Sequence, residues 1–256
     1  MMKLSIITIN YNNAKGLKKT LDSVAVQTCA DFEHIIVDGA STDESVEIIH
    51  EYENNLASRL IWLSEPDTGI YNAMNKGVRL AKGEYTLMLN SGDYLVDEHV
   101  VESVLLILDG TDIIQGNIVS VINNMKIINR GYAKSNISFI DVMKGHFLHQ
   151  ASFCRRVLFE KYGMFDESYR INGDTVFYAK CLGFGNATFR YVDLNIAFFD
   201  TTGIVRILKE SGVGYARKKT NDTCNYFHIV CGIYINMKKK KSNYMINFML
   251  IVGVGM

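Results

Sequence analysis

The sequence has little of what marks several large classes of protein. Its 256 residues contain a single proline, yet 11% are aromatic, so the composition is not that of a disordered or proline-rich chain. Lysine plus arginine equal aspartate plus glutamate, 27 against 27, so no overall charge directs the chain to nucleic acid. No apolar stretch of 18 residues occurs, and we therefore expect no membrane-spanning helix.

Several sequence motifs are also missing. The five cysteines form no C-x-x-C pair and no Cys/His group at zinc spacing, and their odd number favours a reducing compartment, which we take to be the cytoplasm. The apolar run near the N-terminus is too short for a signal peptide and is typical of a first strand. Neither G-x-G-x-x-G nor a P-loop follows that strand, which disfavours dinucleotide enzymes and P-loop nucleotidases.

What the sequence does contain is an alternation of strand and helix patterns through residue 121. This alternation predicts an α/β fold with a mostly parallel central sheet and helices on both faces. Strands are predicted at 4–9, 34–37, 60–63, 85–89 and 112–121, and helices at 17–25, 41–49, 70–81 and 97–108. Beyond residue 121 the pattern is weaker, and helices are predicted at 153–165, 174–183 and 204–216.

Polar residues follow three of the predicted strands, where ligands bind in sheets of this kind. Asp38 comes directly after the second strand. Its carboxylate could accept a hydrogen bond from a uracil N–H while Tyr11, after the first strand, offers a face to the ring. The alternative is that Asp38 and Gly39 form only a turn. Asp43 has a structural explanation, since a carboxylate in the first turn of a helix offsets its dipole.

Residues 90–93 (Asn-Ser-Gly-Asp) are the candidate metal and diphosphate site. Mn²⁺ and Mg²⁺ bind hard oxygen ligands, commonly one or two carboxylates together with substrate phosphates. A metal ion here would cancel the charge that develops on a departing diphosphate. A tight turn after a strand is the alternative. In the polar segment 65–77, Lys76 could pair with a phosphate, or it could be solvated while Asp67 or Thr68 caps the next helix.

Three ionisable or polar side chains of the second half are candidates for the reacting sugar and its acceptor: His149, Gln150 and Asp174. A transferase that inverts the sugar needs a carboxylate to take the proton of the acceptor hydroxyl. Asp174 fits that role, although a carboxylate that opens a helix also fits a simple N-terminal cap.

Taken together, these segments resemble the large family of inverting family-two glycosyltransferases. The resemblance covers about residues 3–210 and keeps the order and spacing of the family. It is carried by residues 6–12, 22–28, 36–43, 67–77, 81–85, 89–93, 149–150, 163–167 and 199–203. The stretch D-x-G-I-Y-x-A-M-N-K-G at 67–77 is similar to the subgroup that builds bacterial surface polysaccharides of the colanic-acid type.

The resemblance implies a Rossmann-like nucleotide-diphospho-sugar transferase (GT-A) fold and a role for each matched position. Thr8, Asn10, Tyr11 and Asp38 would hold the nucleoside, with Asp67, Lys76 and Asn90 also on the nucleotide. Asp93 would bind Mn²⁺ or Mg²⁺, Asp174 would be the base, and His149 and Gln150 would face the donor sugar or the acceptor. The chain departs from the family in three places: N-S-G-D at 90–93 where many members have D-x-D-D, a Thr-Val-Phe sequence after Asp174, and Ile204 where serine is common.

The C-terminal tail carries four lysines, Lys238 to Lys241, between two apolar segments. Each lysine near an anionic membrane surface contributes about 1 kcal/mol, so four could hold the protein on the inner face of the plasma membrane. A solvated charge run beside core helices is the alternative. We divide the chain into a nucleotide-sugar half at 1–121, an acceptor half at 122–210 and a helical C-terminal tail at 211–256.

The sequence thus predicts a metal-dependent inverting glycosyltransferase that uses a nucleotide-diphosphate sugar, with uridine diphosphate as the expected carrier, and a glycan or lipid-linked acceptor. Two alternatives remain at this point. One is another enzyme of similar fold, such as a sugar nucleotidyltransferase. The other is a non-catalytic sugar-nucleotide-binding partner in a polysaccharide assembly complex, which the thinned acidic motif at 90–93 motivates.

Overall fold

The computed structural model describes residues 2–56, 59–122, 125–134, 137–138, 141–142 and 147–200. The predicted helix at 204–216, the apolar segments of the tail and the lysines at 238–241 lie outside these residues.

Nine strands and six α-helices alternate along the described chain. The strands are β1 Leu4–Asn10, β2 Phe32–Asp38, β3 Leu60–Ser64, β4 Tyr85–Met88, β5 Tyr94–Leu95, β6 Ile113–Ile122, β7 Met125–Asn129, β8 Ser152–Arg155 and β9 Phe189–Phe199. The helices are α1 Ala14–Ala25, α2 Ser45–Leu56, α3 Ile70–Leu80, α4 Val100–Leu105, α5 Val157–Tyr162 and α6 Gly173–Tyr178. A 3₁₀ turn at His149–Ala151 and a π-helical turn at Ala179–Phe184 complete the list.

The strands form one sheet in the order β3-β2-β1-β4-β8-β6-β9-β5, with β7 paired to β6. Its first half is parallel, as predicted: β2 pairs in parallel with β1 and β3, and β4 with β1. Every residue of β1 and β2 is buried, which explains why both read as continuous apolar runs rather than as alternating ones. Leu17, Leu21 and Val24 form the buried face of α1, as their spacing predicted.

The second half of the sheet differs from the expectation of a mostly parallel sheet. β8 runs antiparallel to both β4 and β6, and the β6–β7 hairpin and the β5–β9 pair are antiparallel too, so the sheet as a whole is mixed. The predicted helix at 153–165 is wrong in its first part. Phe153 and Cys154 are buried in β8, in the middle of the sheet, and only Val157–Tyr162 is helical. A short apolar run fits a strand or a helix equally well, and the contacts with β4 and β6 decide for the strand.

The start of α2 also differs from the prediction. The predicted capping box at residues 41–44 is wrong, because Ser41 donates to Asp38 instead and α2 begins at Ser45. Asp43 accepts hydrogen bonds from the backbone N–H groups of Ala14 (2.8 Å) and Ser45 (3.1 Å), so its carboxylate caps the start of α1 as well as that of α2. No helix of the described part of the chain is both long and apolar enough to cross a membrane.

Candidate functional site

The carboxyl ends of β1, β2 and β4 meet at one edge of the sheet. The Asn10 side chain, at the end of β1, donates to Asp38 at the end of β2 (2.8 Å), and the backbone N–H of Ser91, after β4, donates to Ile9 (3.1 Å). Asn13, which caps α1, donates to the Ser91 carbonyl (3.1 Å). Parallel pairing therefore brings the polar strand ends together, as the sequence predicted.

Asp38 is buried, and four hydrogen bonds converge on its carboxylate. Oδ1 accepts from the side chains of Asn10 (2.8 Å) and Ser41 (2.5 Å). Oδ2 accepts from the backbone N–H of Ser41 (2.9 Å) and from the hydroxyl of Ser64 (2.7 Å). Burial alone would raise the pKa of Asp38, but these hydrogen bonds outweigh it and lower the pKa. The carboxylate is charged and organises the ends of β1, β2 and β3.

Beside Asp38, the side chains of Tyr11 and Asp67 flank Gly39, and we call this place the slot. A Cβ built on Gly39 would stand 2.6 Å from Asp67 Oδ2 and 3.1 Å from the Tyr11 ring, so a side chain at this position would displace one of them. The Tyr11 ring is 66% exposed and presents a face to the solvent. Asp67 Oδ1 accepts from the N–H of Gly69 (2.9 Å), just before α3. An aromatic face beside a carboxylate suits a planar ring with N–H donors.

The amide of Asn10 is oriented by its neighbours, because Nδ2 donates to the Asp38 carboxylate, which can only accept. Its Oδ1 is then an acceptor that has no partner among the described residues. Thr8 lies deeper. Its buried hydroxyl donates to the Leu89 carbonyl (2.8 Å) and contacts His34 Nε2 (2.9 Å), so Thr8 supports the site from inside the sheet.

Lys76 does not point to an open phosphate cradle. Its ammonium group pairs with Glu65 (2.8 Å) and donates to the Pro66 carbonyl (2.7 Å). The lysine therefore fixes the loop that carries Asp67, instead of standing solvated as the alternative interpretation had it.

Asp93 lies at the predicted metal position, and a second carboxylate stands beside it. The buried Asp93 side chain accepts from the backbone N–H of Asp200 (2.8 Å), which follows β9. Gly92 has φ +104°, and a Cβ built there would lie 2.6 Å from Asp200 Oδ2. Burial raises the pKa of Asp93 to about 7, although the Asp200 N–H and the charge of His149 act against it. Thr20 braces the turn from below, donating to the Asp93 carbonyl (2.6 Å) and accepting from Gly92 N–H (3.0 Å).

The oxygen atoms at this turn are of the kind that Mn²⁺ and Mg²⁺ bind. Besides the Asp93 and Asp200 carboxylates, the buried Oδ1 of Asn90 has no partner within the described ranges. Those ranges contain no group of three or more His, Cys, Asp and Glu side chains able to hold an ion. The donor set therefore fits a cation that takes part of its coordination from a substrate, as Mg²⁺ commonly does.

Asp174 and His149 form a hydrogen-bonded chain that reaches Asn90. Asp174 Oδ2 lies 3.0 Å from His149 Nδ1, and Asp174 Oδ1 accepts from the Tyr71 hydroxyl (3.2 Å). His149 Nε2 in turn lies 3.4 Å from the Asn90 side chain. Asp174 is thus held from two sides and linked through His149 to the turn at 90–93.

The charges of this chain follow from its contacts. Burial alone would lower the pKa of His149, but its hydrogen bond to Asp174 and the negative charge there raise the pKa. Burial would raise the pKa of Asp174, and the hydrogen bond and charge of His149 lower it. Burial and the Asp174 charge raise the pKa of Tyr71, which keeps its hydroxyl a donor. The contact between His149 and Asp174 thus favours the charged form of each side chain.

Sequence reasoning missed several residues of the site. Asp200 belonged to a matched segment but received no role, because the strand that precedes it, β9, was not predicted. Tyr71 and Ser64 act through contacts between segments distant in sequence, with Asp174 and Asp38 respectively, and no local pattern announces them. Gln150, predicted beside the sugar, is buried next to Asp93 and lowers the pKa of that carboxyl through a hydrogen bond.

Comparison with known proteins identifies the family of the chain. A family model described as glycosyl transferase family 2 matches residues 5–180. A PGL/p-HBAD biosynthesis glycosyltransferase of Mycobacterium bovis is 34% identical over 202 residues, which cover 78% of this chain and 77% of that protein. The poly(ribitol-phosphate) β-N-acetylglucosaminyltransferase TarS of Staphylococcus aureus is 30% identical over 125 residues, 44% of this chain and 22% of that protein.

Solved structures show the same fold. TarS residues 1–349 in complex with UDP match with a TM-score of 0.65 and 22% identity, over 77% of this chain and 60% of that one. A mannosyltransferase of Pyrobaculum calidifontis, in complex with GDP-Man and Mn²⁺, matches with a TM-score of 0.55 and 18% identity, over 77% and 56%. The chain spans 36% of the longer TarS chain. The chain therefore belongs to glycosyl transferase family 2: it is a glycosyltransferase with a GT-A-type α/β fold.

Proposed function

We propose that this glycosyltransferase moves a hexosyl or N-acetylhexosaminyl group from a UDP-sugar to a glycan acceptor, with inversion and with the help of a divalent metal ion. The observation that carries the proposal is the gathering, at one sheet edge, of an aromatic slot, a pair of carboxylates and a hydrogen-bonded Asp–His pair. TarS structures in complex with UDP and with UDP-GlcNAc, which share this fold, support the choice of carrier.

The slot of Tyr11, Gly39 and Asp67 takes the uracil ring. Tyr11 stacks on the ring, and the Asn10 amide oxygen accepts the uracil N3–H, because it is the acceptor in this cluster that lacks a partner in the described chain. Asp38 orients Asn10 instead of competing with it, since its own oxygens already accept four hydrogen bonds. Thr8 and Lys76 hold the strand and the loop on which these groups stand.

Asp93, Asp200 and the Asn90 oxygen would hold Mn²⁺ or Mg²⁺, with the diphosphate completing the coordination. When bound, the ion neutralises the charge that develops on the leaving group, so the protein need not protonate it. Gly92 lets the Asp200 carboxylate come close to this turn, because any side chain there would displace it. His149 lies near the same turn, with its Nε2 3.4 Å from the Asn90 side chain.

Asp174 is the base. It takes the proton of the acceptor hydroxyl while that oxygen attacks the sugar carbon from the side opposite the diphosphate, so one displacement inverts the sugar without a covalent intermediate. His149 and Tyr71 fix the carboxylate so that its remaining lone pairs face the acceptor. His149 and Gln150 lie between base and metal turn, on the side of the donor sugar.

The proposal places the enzyme in the biosynthesis of a bacterial surface polysaccharide, such as a capsule or an exopolysaccharide of the colanic-acid type, with a lipid-linked sugar as acceptor. The Mycobacterium bovis relative is named for glycolipid-related biosynthesis and TarS for a polymer acceptor, which supports this class. The reaction would take place in the cytoplasm, with the lysines at 238–241 on the inner face of the membrane. The boundaries at 121 and 210 remain part of the proposal.

A donor screen tests this function. The purified protein is incubated with Mn²⁺ and a panel of uridine, guanosine and thymidine diphosphate sugars, and release of the nucleoside diphosphate is measured with and without EDTA. We expect release from a UDP-sugar that EDTA abolishes. Asp93→Ala should lower this rate by about 10²–10³-fold, since it removes the buried carboxylate at the diphosphate.

Asp43→Ala is the matched control, because it removes a carboxylate that caps two helices but lies outside the slot and the metal turn. It should keep the activity within about twofold and lower the unfolding free energy by about 1–2 kcal/mol. Equal losses of activity in both variants, with folding intact, would contradict the assignment. A thermal shift with a nucleotide sugar but no release from any of them would instead favour the non-catalytic sugar-nucleotide-binding partner.

A further inference from the structure

A cavity of about 340 Å³ opens at the base of the β6–β7 hairpin, outside the slot and the metal turn. Six described residues line it: Ile118, Ser120, Asn129, Arg130, Leu148 and Phe199. Three are apolar and three are polar, and a volume of this order suits a small molecule of one or two sugar rings.

The cavity shares two walls with the catalytic groups. Leu148 immediately precedes His149, whose ring lies 3.0 Å from Asp174. Phe199 immediately precedes Asp200, whose backbone N–H donates to Asp93 (2.8 Å). The chain therefore leads directly from the cavity wall into the segment that contacts the base and into the segment that contacts the metal turn.

The cavity also lies several strands away from the slot that we assign to the nucleoside. In the strand order, the slot stands at β1 and β2, whereas the cavity is formed by β6, β7 and the end of β9, beyond β4 and β8. A UDP-sugar bound in the slot with its diphosphate at 90–93 would leave this cavity open. The cavity is thus placed for the second substrate.

The chemistry of the lining indicates what that substrate carries. Arg130 has a side chain that is 66% exposed, and its Nε lies 3.9 Å from Asp193, a long contact at the surface. Such a pair constrains the arginine little, and a guanidinium has further N–H donors in a fork that matches an anionic group. Asn129 and Ser120 bond each other (2.9 Å) at the floor, and Leu148 and Phe199 offer apolar surface to a sugar ring.

We propose that this cavity is the acceptor subsite and that it takes an acidic sugar, whose phosphate or carboxylate pairs with Arg130. The inference rests on the proposed function, because it assumes that the groups at 90–93 and Asp174 carry out glycosyl transfer. Beyond that function, the inference specifies that the acceptor is acidic and that Arg130 recognises its negative charge.

Binding of simple probes tests the subsite independently of turnover. With UDP and Mn²⁺ present to fill the donor side, saturation-transfer NMR measures the affinity of glucose 1-phosphate, glucuronic acid and methyl glucoside. We expect the wild type to bind at least one of the acidic sugars and to prefer it over methyl glucoside by about tenfold. Arg130→Gln should remove that preference, and Arg130→Lys should restore part of it, since it keeps the charge but not the fork.

Arg79→Gln is the control for the loss of one exposed positive charge, because Arg79 lies on α3, away from the cavity. It should leave the preference unchanged. Preference for glucose 1-phosphate would indicate a phosphate-linked acceptor, and preference for glucuronic acid a carboxylated one. The subsite is wrong if the neutral sugar binds as well as both acidic ones, or if Arg130→Gln and Arg79→Gln behave alike. The donor screen decides the proposed function separately, since it needs no acceptor and does not involve Arg130.

Discussion

Single residues next to the site have a left-handed backbone. Three non-glycine residues of the described chain have positive φ: Asn12, Ala40 and Asn172. Each stands next to the site, after Tyr11, after Gly39 and two residues before Asp174. Asparagine tolerates this conformation, but for Ala40 it costs about 1–2 kcal/mol, and it persists where the surrounding structure fixes it. The left-handed residues mark the same three segments that the hydrogen bonds bring together.

Gly92 allows a direct test at this scale. Gly92→Ala puts a methyl group 2.6 Å from Asp200 Oδ2, and the aspartate, as the flexible partner, must move away from the metal turn. If Asp200 helps to hold the ion, Mn²⁺-dependent release of UDP should fall at least tenfold. In steady-state assays over a range of Mn²⁺ concentrations, the concentration that gives half the maximal rate should rise.

Gly110→Ala is the control for backbone strain. Gly110 has φ +94°, close to that of Gly92, but no atom lies within 4 Å of its built Cβ. Both variants should lose similar stability, about 1–2 kcal/mol in urea titrations, and Gly110→Ala should keep its activity. Normal metal dependence in Gly92→Ala would remove Asp200 from the site.

At the scale of elements, the first half of the molecule could be predicted and the second only in part. The positions of β1 to β4 and of the helices between them could be predicted from the spacing of apolar residues and from turn residues such as Asp38 and Gly39. β8 could not be distinguished from a helix, because it pairs with β4 and β6, which are distant in sequence, and this pairing leaves no local pattern. The polar residues at the strand ends predicted half of the site. Tyr71 and Asp200 reach the site through tertiary packing, which no local sequence pattern predicts.

The contact between α3 and α6 predicts a change in pH dependence. Tyr71 on α3 donates to Asp174 on α6 and helps to lower the pKa of that carboxyl, after the larger effect of His149. Tyr71→Phe removes a donor to the charged form, so the pKa of Asp174 should rise. A base must be deprotonated to act, so the part of the acidic limb that Asp174 sets should move to higher pH, while the part that Asp93 sets should stay in place.

This shift is measured as UDP release against pH at saturating Mn²⁺ and donor. Above the limb, Tyr71→Phe should approach the wild-type rate. Tyr162→Phe serves as the control, since its hydroxyl accepts from the N–H of Asn186 (3.2 Å), away from the site. An acidic limb that stays in place while the rate drops at every pH would show that Tyr71 only supports packing.

At the scale of the whole molecule, the site depends on a sheet whose interior contains a histidine. His34, in β2, is fully buried, and burial lowers its pKa to about 3. The Thr8 hydroxyl donates to Leu89, so it accepts from His34 Nε2–H, and Nδ1 has no partner in the part of the chain that the structure describes. The ring is therefore neutral in the folded protein, whereas in the unfolded chain it gains a proton near pH 6.5.

This difference makes folding sensitive to mild acid. Because the unfolded chain binds the extra proton, stability present above pH 6.5 is lost as the pH falls towards the lowered pKa of His34. Between pH 7.5 and pH 5 the loss from this residue should be about 2 kcal/mol. His34→Gln cannot take up the proton. In urea unfolding experiments, its loss of unfolding free energy between pH 7.5 and pH 5 should therefore be about 2 kcal/mol smaller than that of the wild type, whatever its stability at pH 7.5. His50→Gln, at a side chain that is 58% exposed, should keep the wild-type difference. If His34→Gln also keeps the wild-type difference, other groups must cause the loss of stability in acid, and the neutral state of His34 does not explain it.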